Sequence, residues 1–141
     1  MTYRLATYQS ADGPRAAVIV GERVIDVAKA TRVKADETVQ GILSDWTKAK
    51  VRLEAVSTRQ GLRGQPLSKV KLLAPIPVPG AVYCAGSNYG DHAAEMARAK
   101  GLPPPADPHD LGLEPWHFIK SSRSVIGTNQ NVNLPAATKK V

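Results

Sequence analysis

The chain has 141 residues, of which 43% are hydrophobic and 22% are charged, a balance typical of a globular protein with one ordinary domain or a small domain plus part of a second. Its apolar runs fall short of the roughly 18 residues that a transmembrane helix needs, and the N-terminus lacks a signal peptide's apolar segment and cleavage site. The single cysteine, Cys84, excludes an intrachain disulfide. These features predict a soluble, cytoplasmic protein that does not bind membranes.

The net charge of +7 lies mainly in the first half of the chain. Residues 1–75 contain 13 Lys and Arg against 7 Asp and Glu, whereas residues 76–141 contain 6 against 5. The basic residues are scattered, and aromatic residues do not alternate with them as they do on a base-stacking surface. The pattern favours a solvated basic face and no nucleic-acid partner, and a basic nucleic-acid-binding module is kept as an alternative.

The first half of the chain predicts a small α+β domain that opens with antiparallel strands. Short extended segments are predicted over 3–8, 16–20 and 23–27, and Gly21-Glu22 is typical of a tight two-residue hairpin. Helical patterns follow over 37–48 and 50–60, and Gly61 and Gly64 end this region. The residues that the helical period turns inward are Val39, Ile42, Leu43 and Trp46 in the first helix and Val51, Leu53 and Val56 in the second.

A proline-rich stretch then divides the chain. Eight of the 11 prolines lie between Pro75 and Pro115, which suits a rigid boundary between a domain over 1–74 and a second region over 75–141. The second region predicts strands over 81–85 and 116–120, a helix over 91–100, and strand-like pieces around 125–126 and 132–134. These elements are too few to close a core, so the region either packs onto the first domain or opens a larger one.

His92 and Glu95 are the strongest candidate catalytic residues. They lie three residues apart in the predicted helix and therefore share one face. A carboxylate beside an imidazole selects the ring tautomer and raises the basicity of the other nitrogen, which is the arrangement that deprotonates water. Exposed ion pairs have the same spacing, and Glu95 also suits the N-terminal end of a helix. The spacing alone leaves both interpretations open.

Lys120 is the second candidate, because it ends an apolar strand where a cation can bind a carboxylate or stabilise an enolate. A lysine that only extends from a strand end into solvent is the alternative. Cys84 lies among apolar residues, which favours a core position over a nucleophile. Four further residues are of types that can bind a metal ion, but their spacing matches no standard zinc or calcium site: Asp107, His109, Asp110 and His117.

Several motifs follow one another in a characteristic order. Asn88-Tyr-x-x-His92-x-x-Glu95 is followed by Phe118-Ile-Lys120-Ser, and later by Val132-Asn-Leu134-Pro135. Leu72-Leu-Ala-Pro75 and Val82-Tyr-Cys-Ala-Gly86 precede them. This series closely resembles the fumarylacetoacetate hydrolase family over essentially the whole chain, and the opening strands resemble the small N-terminal domain of its bacterial members.

The resemblance implies a fold and an activity. The α+β fold would join a small N-terminal domain, a β-meander with helices, to the opening strands of a mixed β-sandwich-roll catalytic domain, incomplete in this chain. The activity would be Mg²⁺- or Mn²⁺-dependent cleavage of the C–C bond of acylpyruvates or β-diketo acids, or their decarboxylation or isomerisation, in the catabolism of aromatic compounds. The resemblance also implies a homodimer, with His92 and Glu95 as the water-activating dyad and Lys120 as the substrate-binding cation.

The chain departs from the family where metal ligands are expected. Family members hold the ion with a Glu-x-Glu pair after the Leu-Pro motif and an Asp further on, but here no Asp or Glu follows Glu114. Since hard divalent cations need oxygen ligands, usually carboxylates, we expect no metal ligand in this chain and negligible activity from the 141 residues alone. We therefore interpret it as the N-terminal portion of an enzyme. The alternative is a non-catalytic relic that binds a protein partner through an exposed sheet edge.

Overall fold

The structure is a computed structural model that describes residues 2–86 and 89–137. The chain divides into two compact units, residues 1–78 with 125–141 and residues 79–124, called here the N-terminal unit and the dyad unit. The predicted α+β class is confirmed. None of the described helices combines the length and the apolar character that crossing a bilayer requires.

The N-terminal unit is built on a five-stranded antiparallel sheet with the order β4-β3-β2-β1-β5. Its strands are β1 (Arg4–Ser10), β2 (Gly13–Val20), β3 (Arg23–Asp26), β4 (Gln65–Pro66) and β5 (Leu72–Leu73). Val20 pairs with Arg23 across the two-residue turn, where Gly21 takes a φ of 55° that few residues other than glycine adopt. The predicted meander and hairpin are confirmed. The edge strands β4 and β5 have two residues each, so little unpaired backbone is left at either edge.

Short helices cover this sheet, and each of its three α-helices has a side-chain N-cap. They are α1 (Val27–Thr31), a 3₁₀ helix (Lys34–Glu37), α2 (Val39–Ser44) and α3 (Trp46–Thr58), and a further 3₁₀ helix spans Leu67–Lys69. Thr38 accepts a hydrogen bond from the N–H of Gly41 at 3.0 Å, and Asp45 accepts one from Lys48 at 3.4 Å. Each cap begins a new helix. The prediction of one helix over 37–48 is therefore wrong, because the chain breaks and restarts at Asp45.

Both faces of the sheet are buried. One face packs against the helices in a cluster of Ala16, Val18, Ile25, Val27, Val39, Ile42, Ala49, Leu53 and Val56, and the other face buries Tyr8, Ala17, Ile19 and Val24. Three residues predicted to point inward do not, since Leu43, Trp46 and Val51 are 47%, 44% and 66% exposed. Trp46 lies beyond the break at Asp45, so the period of the first helix does not carry to it. Leu43 and Val51 are turned about 100° and 200° around their own helices from the buried Ile42 and Leu53, and their side chains therefore remain exposed.

Asp26 joins three elements through its carboxylate. It caps α1 by accepting the N–H of Lys29 at 2.9 Å, and it accepts hydrogen bonds from Arg15 of β2 at 2.6 Å and from the Tyr8 hydroxyl of β1 at 2.9 Å. Burial alone would raise the pKa of Asp26, but the donors from Arg15, Lys29 and Tyr8 outweigh it and the pKa is lowered. Burial, with the Asp26 hydrogen bond, raises the pKa of Tyr8 to about 12.

Asp36 forms a second buried cluster. Its side chain is 1% exposed and receives two hydrogen bonds from the Arg52 guanidinium of α3, at 2.6 and 2.9 Å. The Thr31 hydroxyl at the end of α1 donates a third at 2.8 Å. The Arg52 guanidinium, assisted by Thr31, holds the pKa of Asp36 below its usual value although burial acts in the opposite direction. This cluster ties α1, the first 3₁₀ helix and α3 together.

Gly41 packs against the backbone of the first 3₁₀ helix, because a Cβ at this position would overlap the carbonyl oxygen of Ala35. We expect Gly41→Ala to destabilise the N-terminal unit by about 1–3 kcal/mol, since overpacking outweighs the better helix propensity of alanine. Gly90→Ala is the control, because its added Cβ would meet nothing within 4 Å. Urea unfolding followed by circular dichroism measures both, and a Gly41→Ala variant as stable as the parent would contradict this packing.

The dyad unit contains a two-stranded antiparallel sheet and one α-helix among its described residues. The strands are β6 (Val82–Ala85) and β7 (His117–Lys120), the helix is α4 (Gly90–Ala99), and a 3₁₀ helix spans Ser122–Ser124. The strands predicted over 81–85 and 116–120 and the helix predicted over 91–100 are confirmed. The strand-like pieces around 125–126 and 132–134 are not strands. A β-strand is stabilised by backbone hydrogen bonds to a paired strand, and among the described residues neither segment pairs with one.

Candidate functional site

The predicted dyad lies on the first two turns of α4. Asp91 accepts a hydrogen bond from the N–H of His92 at 2.8 Å, which satisfies one of the free donors of the helix start. Nδ1 of His92 lies 3.4 Å from Oε2 of Glu95, three residues further along. The structure thus brings the two predicted residues together, as the helical spacing requires.

The orientation of this pair decides which nitrogen can act as a base. With Nδ1 of His92 directed at Glu95, Nε2 is the ring nitrogen left to take a proton. The side chains of His92 and Glu95 are 57% and 73% exposed, and water weakens an exposed pair of this kind. The pair has the geometry of a general base with its orienting carboxylate, and it gains strength where a substrate excludes water.

Lys120 lies at the far end of the β6–β7 ladder. It pairs with Val82, whereas His117 pairs with Ala85 next to Gly86, where the chain leaves β6 toward α4. The three residue steps from His117 to Lys120 along β7 span roughly 10 Å. The Lys120 ammonium lies 5.6 Å from the ring centroid of Phe118, within cation–π range. No hydrogen bond or ion pair between described residues joins Lys120 to the dyad, so its role as a substrate-binding cation stays a prediction.

A cavity of about 700 Å³ opens beside the start of α4. We call it the α4 cavity. Its described lining consists of Gly86, Gly90, Ala93, Pro105, Ala106, Asp107, Pro108, His109, Leu113, Glu114, Pro115 and Trp116. The sequence pattern does not predict this cavity, because most of its described lining comes from a loop that carries no regular hydrophobic period. The proline content of that loop is the signal that was available.

Trp116 forms one wall of the α4 cavity. Its carbonyl accepts the N–H of Gly86 at 3.2 Å, and its indole packs so closely on Gly86 that an added Cβ there would lie 2.6 Å from the ring. Phe118 packs edge-on against the same indole, with ring centroids 5.5 Å apart. Position 86 therefore requires glycine, and the contact fixes the Trp116 ring relative to the end of β6.

The other candidates contribute less. Asp107 accepts the N–H of His109 at 2.9 Å and lies 3.4 Å from its Nδ1, which is a local loop contact. Among the described residues, no three His, Cys, Asp or Glu side chains gather in a way that would hold a metal ion. Cys84 is half-buried in β6, outside the two core clusters, so its predicted core position is wrong.

The known proteins that resemble this sequence match it over only part of its length. No family model matches the sequence. Protein Rv2993c of Mycobacterium tuberculosis is 45% identical over 74 residues, which are 52% of this chain and 23% of that protein. The mitochondrial oxaloacetate tautomerase FAHD2A of Bos taurus is 34% identical over 76 residues, 54% of this chain and 21% of that protein. The chain thus spans less than a quarter of the length of these curated relatives.

A solved structure matches over a larger part of the chain. The maleylpyruvate hydrolase from Sphingobium sp. SYK-6, determined in complex with manganese(II) ion and pyruvate, aligns with a TM-score of 0.64 at 25% sequence identity. The alignment covers 94% of this chain and 42% of that one. Nearly the whole chain therefore has a counterpart in that fold, of which it spans about two fifths.

Proposed function

We propose that the chain forms part of a fumarylacetoacetate hydrolase family enzyme that cleaves acylpyruvates or related β-diketo acids, and its partial similarity to FAHD2A and to the maleylpyruvate hydrolase supports this proposal. The observation that carries the proposal is the contact at 3.4 Å between His92 and Glu95. Support comes from the maleylpyruvate hydrolase of similar fold, whose structure contains pyruvate. Pyruvate is the product expected when the C–C bond of an acylpyruvate is hydrolysed.

In the proposed reaction, Nε2 of His92 takes a proton from water while Glu95 orients the imidazole and stabilises its charged form. The resulting hydroxide adds to the acyl carbonyl carbon. The bond between that carbon and the methylene carbon of the pyruvyl part then breaks, and the electron pair leaves on the pyruvyl part as an enolate. His92 returns its proton to the methylene carbon. The products are a carboxylic acid and pyruvate, and Lys120 is the proposed partner of the substrate carboxylate.

We propose a divalent cation only for a longer protein that carries this segment. The solved relative contains manganese(II), so Mg²⁺ or Mn²⁺ is proposed there. The described residues of this chain do not gather three ligating side chains and thus do not fit such an ion. We assign no step to the ion here, and we propose that the 141 residues alone are inactive. Turnover by this chain in the presence of Mg²⁺ or Mn²⁺ would refute that statement.

Tautomerisation is a second candidate function, favoured by similarity to the oxaloacetate tautomerase FAHD2A. The same pair would move a proton between carbon and oxygen of a keto acid, with no attack by water and no broken C–C bond. Hydrolysis releases pyruvate, which lactate dehydrogenase detects. Tautomerisation releases no pyruvate. It changes the amount of the enol form, which is followed by the absorbance of the enol.

The test uses a longer protein that carries this segment, with both assays run in parallel. We expect His92→Gln to lower the rate by about 100- to 10,000-fold, because the general base is lost. Glu22→Gln, at an exposed turn of the N-terminal unit, is the matched control and should leave the rate unchanged. An unchanged rate in His92→Gln would remove the dyad from the mechanism.

A further inference from the structure

We propose that Phe118 is a positioning residue for Lys120, and that its aromatic ring holds the Lys120 ammonium in place for the carboxylate of the substrate. This inference rests on the proposed function, because it takes Lys120 as the partner of that carboxylate. It goes further by giving a role in substrate binding to a side chain that takes no part in the reaction itself.

The Lys120 ammonium lies against an aromatic ring and carries no ion pair. Its Nζ lies over the Phe118 ring, 5.6 Å from the centroid, within the roughly 6 Å over which the negative face of a ring attracts a cation. No ion pair between described residues involves Lys120. An ammonium group has three N–H donors, so the contact with the ring leaves donors for a substrate carboxylate. The ring thus holds the cation without neutralising it.

The register of the two strands explains why these side chains meet. Alternate residues of a strand lie on one face, so Phe118 and Lys120 share a face of β7. On β6, Val82 pairs with Lys120 and Cys84 pairs with Phe118, so the side chains of these two residues lie on the same face. Neither Val82 nor Cys84 has a carboxylate. Among these four residues, the Phe118 ring is therefore the group that attracts the ammonium.

The Phe118 ring is itself held in place. It packs edge to face with the Trp116 indole, with centroids 5.5 Å apart and an angle of 74° between the planes, a geometry that aromatic pairs prefer. Trp116 in turn packs on Gly86 and accepts its N–H. A lysine at a strand end otherwise spreads its ammonium over many positions, because its stem is long and flexible. Holding the ammonium in advance reduces the entropy that is lost when a carboxylate binds.

The single phenylalanine of the chain allows a direct test on the 141 residues. Phenylalanine analogues with increasing numbers of fluorine atoms weaken the negative face of the ring and nearly keep its shape, and in this chain they enter at position 118 alone. We expect the ring to shift the NMR signals of the Lys120 ε-methylene protons upfield. The shift should shrink stepwise with fluorination and vanish in Phe118→Leu. Signals at the ordinary position for lysine in the parent chain would overturn the inference.

The effect on substrate binding is measured in a longer protein that carries this segment. We expect Phe118→Leu to raise KM for an acylpyruvate by about two- to fivefold and to leave kcat within about twofold. Phe118→Tyr keeps the ring and should restore the parent KM. Tyr83→Leu is the matched control, because Tyr83 is an exposed aromatic residue on the opposite face of the same ladder. An unchanged KM in Phe118→Leu, or a raised KM in Phe118→Tyr, would overturn the inference.

A double-mutant cycle tests whether Phe118 acts through Lys120. Lys120→Gln removes the cation, so adding Phe118→Leu to this variant should raise KM no further. A purely structural role of the ring predicts the same increase in KM with and without the cation. Equal increases in the two backgrounds would therefore overturn the inference.

The inference and the proposed function fail in different ways. If a longer protein releases pyruvate from acylpyruvates with a KM that is the same in Phe118→Leu, the inference fails and the proposed function stands. If no turnover is detected, calorimetric titration with pyruvate replaces the kinetic measurement. Pyruvate affinity that weakens in Phe118→Leu and recovers in Phe118→Tyr would then support the inference although the proposed function fails. Absence of pyruvate binding as well would overturn both.

Discussion

Replacing Arg52 with Met is expected to lower the free energy of unfolding of the N-terminal unit by about 3 kcal/mol. The variant leaves the Asp36 carboxylate, 1% exposed, without the guanidinium that donates two of its hydrogen bonds. The expected loss lies at the lower end of the values for broken buried pairs, because Arg52 itself is 28% exposed and Thr31 keeps its hydrogen bond. Met retains most of the apolar stem, so the effect reports the lost charge and hydrogen bonds.

Lys50→Met is the matched control for this prediction. Lys50 lies on the same helix and its ammonium is 3.9 Å from Glu54, but both side chains are more than half exposed. Exposed pairs of this kind contribute little, so we expect a change below about 0.5 kcal/mol. Urea unfolding followed by Trp46 fluorescence in a Trp116→Phe background measures both variants. Equal losses of unfolding free energy in the two variants would show that the buried Asp36–Arg52 pair stabilises the unit no more than the exposed Lys50–Glu54 pair does.

The same pair makes a prediction about pH. The hydrogen bonds from the Arg52 guanidinium hold the folded-state pKa of Asp36 below its value in the unfolded chain, so its contribution to stability is fully present above the unfolded pKa and is lost as pH falls through the folded pKa. The parent chain should lose this contribution progressively below about pH 5. Arg52→Met lacks the interaction that lowers the pKa, so the stability difference between parent and variant should shrink as the pH is lowered. A difference that stays constant from neutral to acidic pH would contradict the linkage.

Leu53→Ala is expected to destabilise the N-terminal unit by about 3 kcal/mol, within the range of 2–5 kcal/mol for fully buried leucines. Leu53 is fully buried in the cluster between α3 and the sheet. Removing its side chain forfeits the free energy of burial and leaves a space that close-packed neighbours fill only in part.

Val51→Ala on the same helix is the control for Leu53→Ala. Val51 is 66% exposed, so its loss should change stability by less than about 0.5 kcal/mol. Urea unfolding followed by Trp46 fluorescence compares the two variants. A larger loss in Val51→Ala than in Leu53→Ala would mean that α3 presents the opposite face to the sheet.

The strands could be predicted from sequence because their signals are local. Alternation and the Gly21 turn fix the meander without knowledge of distant residues. Short apolar runs also indicate that β6 and β7 are strands, although they do not indicate how the two strands pair. The boundaries of the helices were harder to predict from the sequence. A polar residue such as Asp45 inside an apolar pattern is compatible with a continuous helix or with a cap, and only the packing of α2 and α3 on the sheet decides between them.

The candidate site also contains one feature that the sequence predicts and one that it does not. The contact between His92 and Glu95 follows from their spacing in one helix, so the sequence was sufficient to predict it. The α4 cavity was not predictable, because it depends on the long-range contact between Gly86 and Trp116. That contact requires β6 to pair with β7 in one register, and no local pattern in either strand specifies it.

The Asp26 carboxylate has a consequence for how this sequence can drift in evolution. One side chain accepts from the Tyr8 hydroxyl, from two N–H groups of Arg15 and from the first turn of α1, so losing it removes the acceptor of four hydrogen bonds at once. Replacing Tyr8 alone removes one hydrogen bond and leaves the buried carboxylate paired with Arg15, but replacing Arg15 removes two hydrogen bonds and the guanidinium that neutralises the carboxylate. In homologous sequences, Tyr8 should therefore vary while Asp26 is retained, whereas Arg15 and Asp26 should change together.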